Sequence, residues 1–289
     1  MTKNIGILGL GSIGARHAHN LVEMGHKVWG YDTEPHTVPG IIKASTVGAL
    51  HKNCEAFVIA TPTARHADDF ISLPKTSPVF IEKPIFSLES AAIWERIAWP
   101  IFMVGNNLRF HSCVKKAKEW LTEGLIGKPL WASFCVAQHN TKYTDPVVLN
   151  WGAHEIDLAL YLLGPATVTA AAGNDQIFDM CLLHEYGVPS TVHGDYVTDP
   201  EIRISKIIGD KGSITMDLAN RTAWMTIQGQ KWPTLFNDDN KSWDQDYRDE
   251  ITTFIDLIDG KSVPHAATGQ DGLHTLELIL EAKRIAGIQ

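Results

Sequence analysis

Asn4-Ile5-Gly6-Ile7-Leu8 runs straight into Gly9-Leu10-Gly11-Ser12-Ile13-Gly14. The first five residues form a short apolar run, as expected of a strand buried on both faces of a parallel sheet. The next six put glycine at their first, third and sixth positions. A helical stretch follows, with Ala15, Ala18, Leu21, Val22 and Met24 on its apolar side and Gly25 as its C-cap. A glycine pattern of this kind means little alone, but between a buried strand and a helix it has a physical reading. Gly9 permits a tight turn, Gly11 lets backbone approach a pyrophosphate, and Gly14 lets helix and strand pack closely. The helix start at Ser12 and Ile13 offers free N–H groups and a positive dipole end to phosphates. Lys27-Val28-Trp29-Gly30-Tyr31 reads as the next strand, and Asp32 closes it 18 residues after Gly14. A carboxylate there accepts hydrogen bonds from adenosine ribose hydroxyls and repels a 2′-phosphate. NAD is therefore expected over NADP, with His36 near the ribose.

Outward from this unit the alternation continues. Glu55–Ala60, Pro78–Ile81 and Ile101–Val104 read as further strands, with a helix expected around Leu88–Ile97. Beyond Asn106 the pattern changes. Helices are expected over Cys113–Leu121 and Ala153–Leu163, the second ending at Gly164-Pro165, and a strand over Pro129–Val136. Longer β-like runs then extend to about Met225, before closing helices over Tyr247–Ile258 and Leu273–Ile285. Strands alternating with helices, followed by a strand-rich half, predict a doubly wound parallel sheet plus an α+β domain with a large, mostly antiparallel open sheet. The division is expected at 1–108 and 109–289. Asn237-Asp238-Asp239-Asn240 reads as an exposed turn, and Trp224, Trp232 and Trp243 as packing on a sheet face.

Composition narrows the function classes. The chain has 289 residues, about two domains at roughly 100–200 residues each. Its 25 basic against 33 acidic residues give a net charge of −8, without a basic cluster for nucleic acid. No apolar run reaches the roughly 18 residues of a membrane span. Met1-Thr2-Lys3-Asn4 leads directly into a strand, with no signal-peptide core. Cys54, Cys113, Cys135 and Cys181 are far apart and read as reduced, mostly buried thiols of a cytoplasmic protein. Thirteen histidines are scattered, so no metal site is expected. His17 and His19 read as structural.

Four further motifs follow in order: Ala60-Thr61-Pro62-Thr63 with His66, then Glu82-Lys83-Pro84-Ile85, then Asn106-Asn107-Leu108-Arg109-Phe110, then His154-Glu155-Ile156-Asp157. With the glycine loop they resemble the Gfo/Idh/MocA oxidoreductases, the glucose–fructose oxidoreductase and inositol dehydrogenase family, and within it members from sugar and nucleotide-sugar pathways. The resemblance implies hydride transfer between NAD and a secondary alcohol or ketone of a sugar, polyol or nucleotide sugar. It extends the cofactor set to Thr61, Pro62, His66, Glu82, Lys83 and Asn106, and implies a cis-proline at Pro84. It places Lys83 and His154 at the reacting hydroxyl as catalytic residues. It also implies a homodimer or homotetramer formed through the C-terminal sheet.

By its residue type alone Lys83 is either a solvated loop lysine or a group aimed into the crevice beyond a strand end. His154 is either a helix cap or a proton carrier. Asp157, three residues on, either orients His154 or accepts backbone donors. Arg109 either grips a substrate phosphate or carboxylate, or forms an interdomain ion pair. Asn150 stands where many family members have Asp, and an amide cannot take a proton. Either Lys83 and His154 suffice without it, or Asn150 only positions substrate, or it marks weak catalysis. The loop Gln138–Leu149, with His139, Tyr143 and Asp145, looks shorter than the family's usual substrate loop. Tyr143 is taken as a candidate substrate contact. Two rival functions stay open: an NAD-binding accessory or sensor protein, and an NAD-using glycosidase without net redox change.

Overall fold

The computed structural model describes residues 1–87, 90, 101–139, 145–239 and 242–288. Tyr143 and most of the helix expected around Leu88–Ile97 lie outside them. The glycine loop is built as its sequence demands. β1 (Asn4–Leu8) has Ile5, Ile7 and Leu8 at 1% exposure or less, because neighbouring strands and helices cover both faces. It pairs in parallel with β2 (Lys27–Tyr31) on one side and β4 (Ala56–Ile59) on the other. Between β1 and β2 runs α1 (Ser12–Glu23), closed at Met24 with Gly25 in the left-handed region at φ +83°. Gly9 has φ +87°, and a Cβ on Gly14 would collide with the Gly9 carbonyl oxygen. Both positions therefore require glycine.

The rest of the first sheet follows the parallel rule. β3 (Ile42–Lys43) extends it beyond β2, while β5 (Val79–Glu82) and β6 (Phe102–Gly105) continue it beyond β4. The connections include α2 (Val47–Asn53) and α3 (Thr63–Ser72). A short antiparallel strand, β15 (Ala267–Thr268), completes seven strands in the order β15-β6-β5-β4-β1-β2-β3.

A second sheet of eight strands is mostly antiparallel, as expected. Along it lie β14 (Thr234–Asn237), β13 (Thr222–Ile227), β12 (Gly212–Asp217), β11 (Ile202–Gly209), β7 (Pro129–Ala137), β10 (Pro189–Asp195), β9 (Ile177–His184) and β8 (Ala166–Gly173). Among the described residues of this sheet only the β7–β10 pair is parallel. The period-2 pattern reveals the covered face. Ala132, Phe134 and Val136 of β7 are buried with Phe178, Met180 and Leu182 of β9, while Ile177, Cys181 and Leu183 face outward. α4 (Ser112–Thr122) and α5 (Ala153–Leu163) pack on the covered side.

The chain divides into two compact units, residues 1–107 with 244–276 and residues 108–243 with 277–289. The contiguous 109–289 domain expected from sequence is thus interrupted. Most of α6 (Trp243–Ile258) joins the first unit because its apolar side is buried there, with Phe254 edge-on to Phe80 at 5.8 Å. β15 binds the same unit by pairing with β6. Three smaller expectations also change. Trp232 is 74% exposed instead of packed, Cys181 is exposed, and Asp238 of the expected turn accepts from Arg221 at 2.7 Å and Ser112 at 2.7 Å. Among the described residues no helix is long and apolar enough to cross a membrane.

Candidate functional site

In the first unit a cleft of about 450 Å³ opens at the carboxyl ends of β1, β2 and β4. Gly9, Gly11, Ser12, Ile13, Asp32, Thr61 and Pro62 line it, with Glu34, His36, Arg65 and Asp69. Seven residues proposed from sequence therefore share one cavity. Gly14 sits behind the loop, where close packing needs it. A Cβ at Gly11 would meet nothing within 4 Å, so that side of the loop is open space into which a ligand can approach backbone. The N-terminus of α1 carries no side-chain cap, which leaves its first N–H groups available to an anion.

Asp32 is held ready. Its Oδ2 accepts the Leu10 N–H at 2.6 Å and its Oδ1 the Glu34 N–H at 2.9 Å, with His36 Nε2 at 3.8 Å. Partial burial pushes its carboxyl up, but these backbone donors and His36 outweigh that and hold it below the ordinary value. The Thr61 hydroxyl donates to Asp69 Oδ2 at 2.7 Å, and Arg65 donates to Asp69 Oδ1 at 3.0 Å.

The other first-unit candidates lie outside the cleft. His66, 1% exposed, stands behind it: Nε2 is 2.8 Å from the Thr61 carbonyl, and Nδ1 is 3.0 Å from that of Pro84 and 3.3 Å from that of Ile85. Burial pushes the imidazole toward its neutral form, while carbonyls on both sides favour a ring protonated at both nitrogens. Glu82 ends β5 and accepts from His17 Nε2 at 2.7 Å. Lys83 is half-buried and joined to Pro84 by a cis peptide. Asn106 is buried, with its N–H donating to the Val104 carbonyl at 3.0 Å.

The second unit carries the remaining candidates. Val148–Gly152 form a π-turn leading into α5. Such turns are rare and concentrate at functional sites. Asn150 lies within it, its Nδ2 donating to Tyr196 Oη at 3.1 Å, while Tyr196 donates to the Asp145 carbonyl at 3.1 Å. His154 follows one turn later and is half-buried, although Ala153, Glu155 and Ile156 around it are buried. Arg109 and Asp157 form a bidentate pair, Nε–Oδ2 at 2.9 Å and Nη2–Oδ1 at 2.7 Å, with side chains 4% and 1% exposed. Of the two readings of Arg109, an ion pair is the one observed, and both partners belong to the second unit. Asp157 gives both carboxylate oxygens to Arg109. Sequence reading missed Tyr196 and the role of His17, whose partners are 46 and 65 residues away and leave no local signal.

Comparison with known proteins supplies the context. A model of the GFO/IDH/MocA C-terminal domain matches residues 114–215, within the second unit. The chain is 25% identical over 322 residues to the myo-inositol 2-dehydrogenase of Thermotoga maritima, covering 97% of this chain and 95% of that enzyme. The chain is thus similar to Gfo/Idh/MocA proteins, through the domain model in its second unit and through this enzyme along most of its length. Residues 1–76 also match the NAD-binding domain of D-isomer specific 2-hydroxyacid dehydrogenases. The scyllo-inositol 2-dehydrogenase (NAD(+)) of Bacillus subtilis is 29% identical over 219 residues, an alignment spanning 63% of this chain and 59% of that enzyme. A levoglucosan dehydrogenase solved with NADH and levoglucosan superposes with a TM-score of 0.89 at 17% identity, covering 99% and 98% of the two chains. At that identity the likeness establishes the shared fold. The open loop at Gly11, the uncapped α1 and the anionic Asp32 fit a dinucleotide.

Proposed function

We propose that the protein is an NAD-dependent oxidoreductase acting on a secondary alcohol or ketone of a polyol or sugar. The observation that carries this reading is the glycine-loop cleft with its anionic Asp32, in a chain related to inositol dehydrogenases. The α1 N-terminus takes the pyrophosphate, and Asp32 accepts from the adenosine ribose hydroxyls. Bound NAD supplies the hydride acceptor, or when reduced the donor. Lys83 and His154 are the candidate acid–base residues, the first half-buried at the end of β5 in the first unit and the second half-buried on α5 of the second. Asn150, held by Tyr196, cannot exchange a proton and keeps a neighbouring hydroxyl in place. Arg109 and Asp157 hold α5, and through it His154, in position.

The test is NADH formation across a panel of inositols, free sugars, nucleotide sugars and 2-hydroxy acids. Turnover with a polyol or sugar and none with the acids is expected. Tight NAD binding with no turnover on any member would sink the enzymatic reading and leave the accessory one. Product formation without accumulating NADH would point to chemistry without net redox change.

Asp32→Ala should weaken NAD binding by about tenfold or more, the scale of a lost pair of charge-assisted hydrogen bonds at roughly 1.5–3 kcal/mol. It should also narrow the gap between NAD and NADP. Calorimetric titration with both nucleotides measures this, and an unchanged preference would remove Asp32 from the ribose. Because Asp32 titrates below the ordinary carboxylate range, its contribution should persist from neutral pH down to that range and vanish only below it.

A further inference from the structure

The two helices whose residues line the dinucleotide cleft each carry a buried histidine that reaches away from it. On α1, which contributes Ser12 and Ile13 to the cleft, His17 is 0% exposed. Its Nε2 donates to Glu82 Oε1 at 2.7 Å. The Glu82 carboxylate fits there because its pairing partner Gly105 has no side chain; a Cβ would stand 3.0 Å from Oε2. Glu250 of α6 brings a carboxylate oxygen within 4.8 Å of the same two groups. On α3, which contributes Arg65 and Asp69 to the cleft, His66 contacts the carbonyls of Pro84 and Ile85 on one side and of Thr61 on the other. Thr61 itself lines the cleft. Glu82 and Pro84 are the two chain neighbours of Lys83, so one histidine grips each side of it.

We propose that His17 and His66 are positioning residues that tie the two cofactor-lining helices to the residues flanking Lys83, so that seating of the dinucleotide sets the direction of the Lys83 ammonium. The inference rests on the assignment of Lys83 to the reaction. The geometry supports a brace of this kind: both rings are fully enclosed, each bonds to a residue flanking Lys83, and neither side chain lines the cleft. Each ring also has two polar edges on a planar frame, which makes it a short and stiff strut compared with a lysine or glutamine.

The experiment is amine labelling of Lys83, read by mass spectrometry with and without NAD, in the wild type, His17→Asn and His66→Gln. Steady-state kinetics on the best polyol and thermal denaturation accompany it. In the wild type NAD should slow Lys83 labelling. In either variant that protection should be largely lost while NAD affinity stays near the wild-type value. Turnover should fall by up to about 10²-fold in kcat, with KM little changed, as a misaimed catalytic group costs. Direct shielding of Lys83 by the cofactor would survive both substitutions, and protection that persists overturns the proposal. Absence of NAD protection in the wild type also overturns it. If one variant fails to fold, the other decides. Labelling does not depend on turnover. An active Lys83→Ala enzyme would therefore remove the catalytic assignment, whereas persistent protection with an inactive Lys83→Ala enzyme would remove only the brace.

Discussion

Lys83→Ala lowers kcat by about 10²–10⁴-fold, the usual worth of a positioned acid–base group, and leaves NAD binding within reach of the wild type. The expectation follows from where the side chain starts. Lys83 leaves the end of β5 in a turn whose flanking residues are each held by a buried histidine, and it stays half-exposed while Ile81 and Ile85 are buried. An ammonium placed so can hold a substrate oxygen through one of its three N–H donors. Arginine in its place should not restore activity, because the planar guanidinium is bulkier and presents its donors in a fixed fork where the ammonium is a compact point donor. His154→Ala should cost a comparable factor. Full turnover in both single variants on an identified substrate would show that other residues carry the chemistry.

Arg109→Ala should destabilise the protein by about 3–5 kcal/mol. Arg109 and Asp157 are 4% and 1% exposed and bonded twice, so removing the guanidinium takes two charge-assisted hydrogen bonds from a carboxylate that water does not reach. The guanidinium also stands 4.9 Å above the Tyr161 ring, which Lys118 approaches at 4.8 Å from its own position. Loss of Arg109 thus removes a stacking partner as well as a charge. For a protein of this size each kcal/mol moves Tm by roughly 2–4 °C, so a fall of about 6–20 °C is expected. An apolar pair, Arg109→Met with Asp157→Leu, should recover most of it, because the double change leaves no buried charge unpaired. A substrate-gripping Arg109 predicts the opposite signature: a raised KM with Tm unchanged. Calorimetry and steady-state kinetics on the same variants separate the two.

Much of this was legible in the chain. β1, β2, β4, β5 and β6 begin and end within a residue of their expected positions, because a parallel strand covered on both faces needs an unbroken apolar run. The cofactor loop could be read from three glycines and an acid 18 residues on, since each answers a steric or electrostatic demand of its immediate neighbourhood. α5 falls at Ala153–Leu163 as expected, ended by a glycine at φ +88°.

What the sequence could not announce were choices between readings. The residues alone leave Arg109 open between ligand and ion pair, and they do not show that His66 bonds the Thr61, Pro84 and Ile85 carbonyls behind the cleft. His17 read as structural, with no hint that its partner would be Glu82. Nor did the closing helices disclose that residues 244–276 return to the first unit. Local φ requirements, hydrophobic period and strand–helix alternation are properties of a few adjacent residues, so the sequence by itself determined the two sheets, the glycine loop and the identity of Asp32. A buried side chain's partner depends on which distant segment the folded topology brings beside it. Asp157 for Arg109, Glu82 for His17 and Tyr196 for Asn150 are separated from those residues by 48, 65 and 46 positions, and only the tertiary structure decided them.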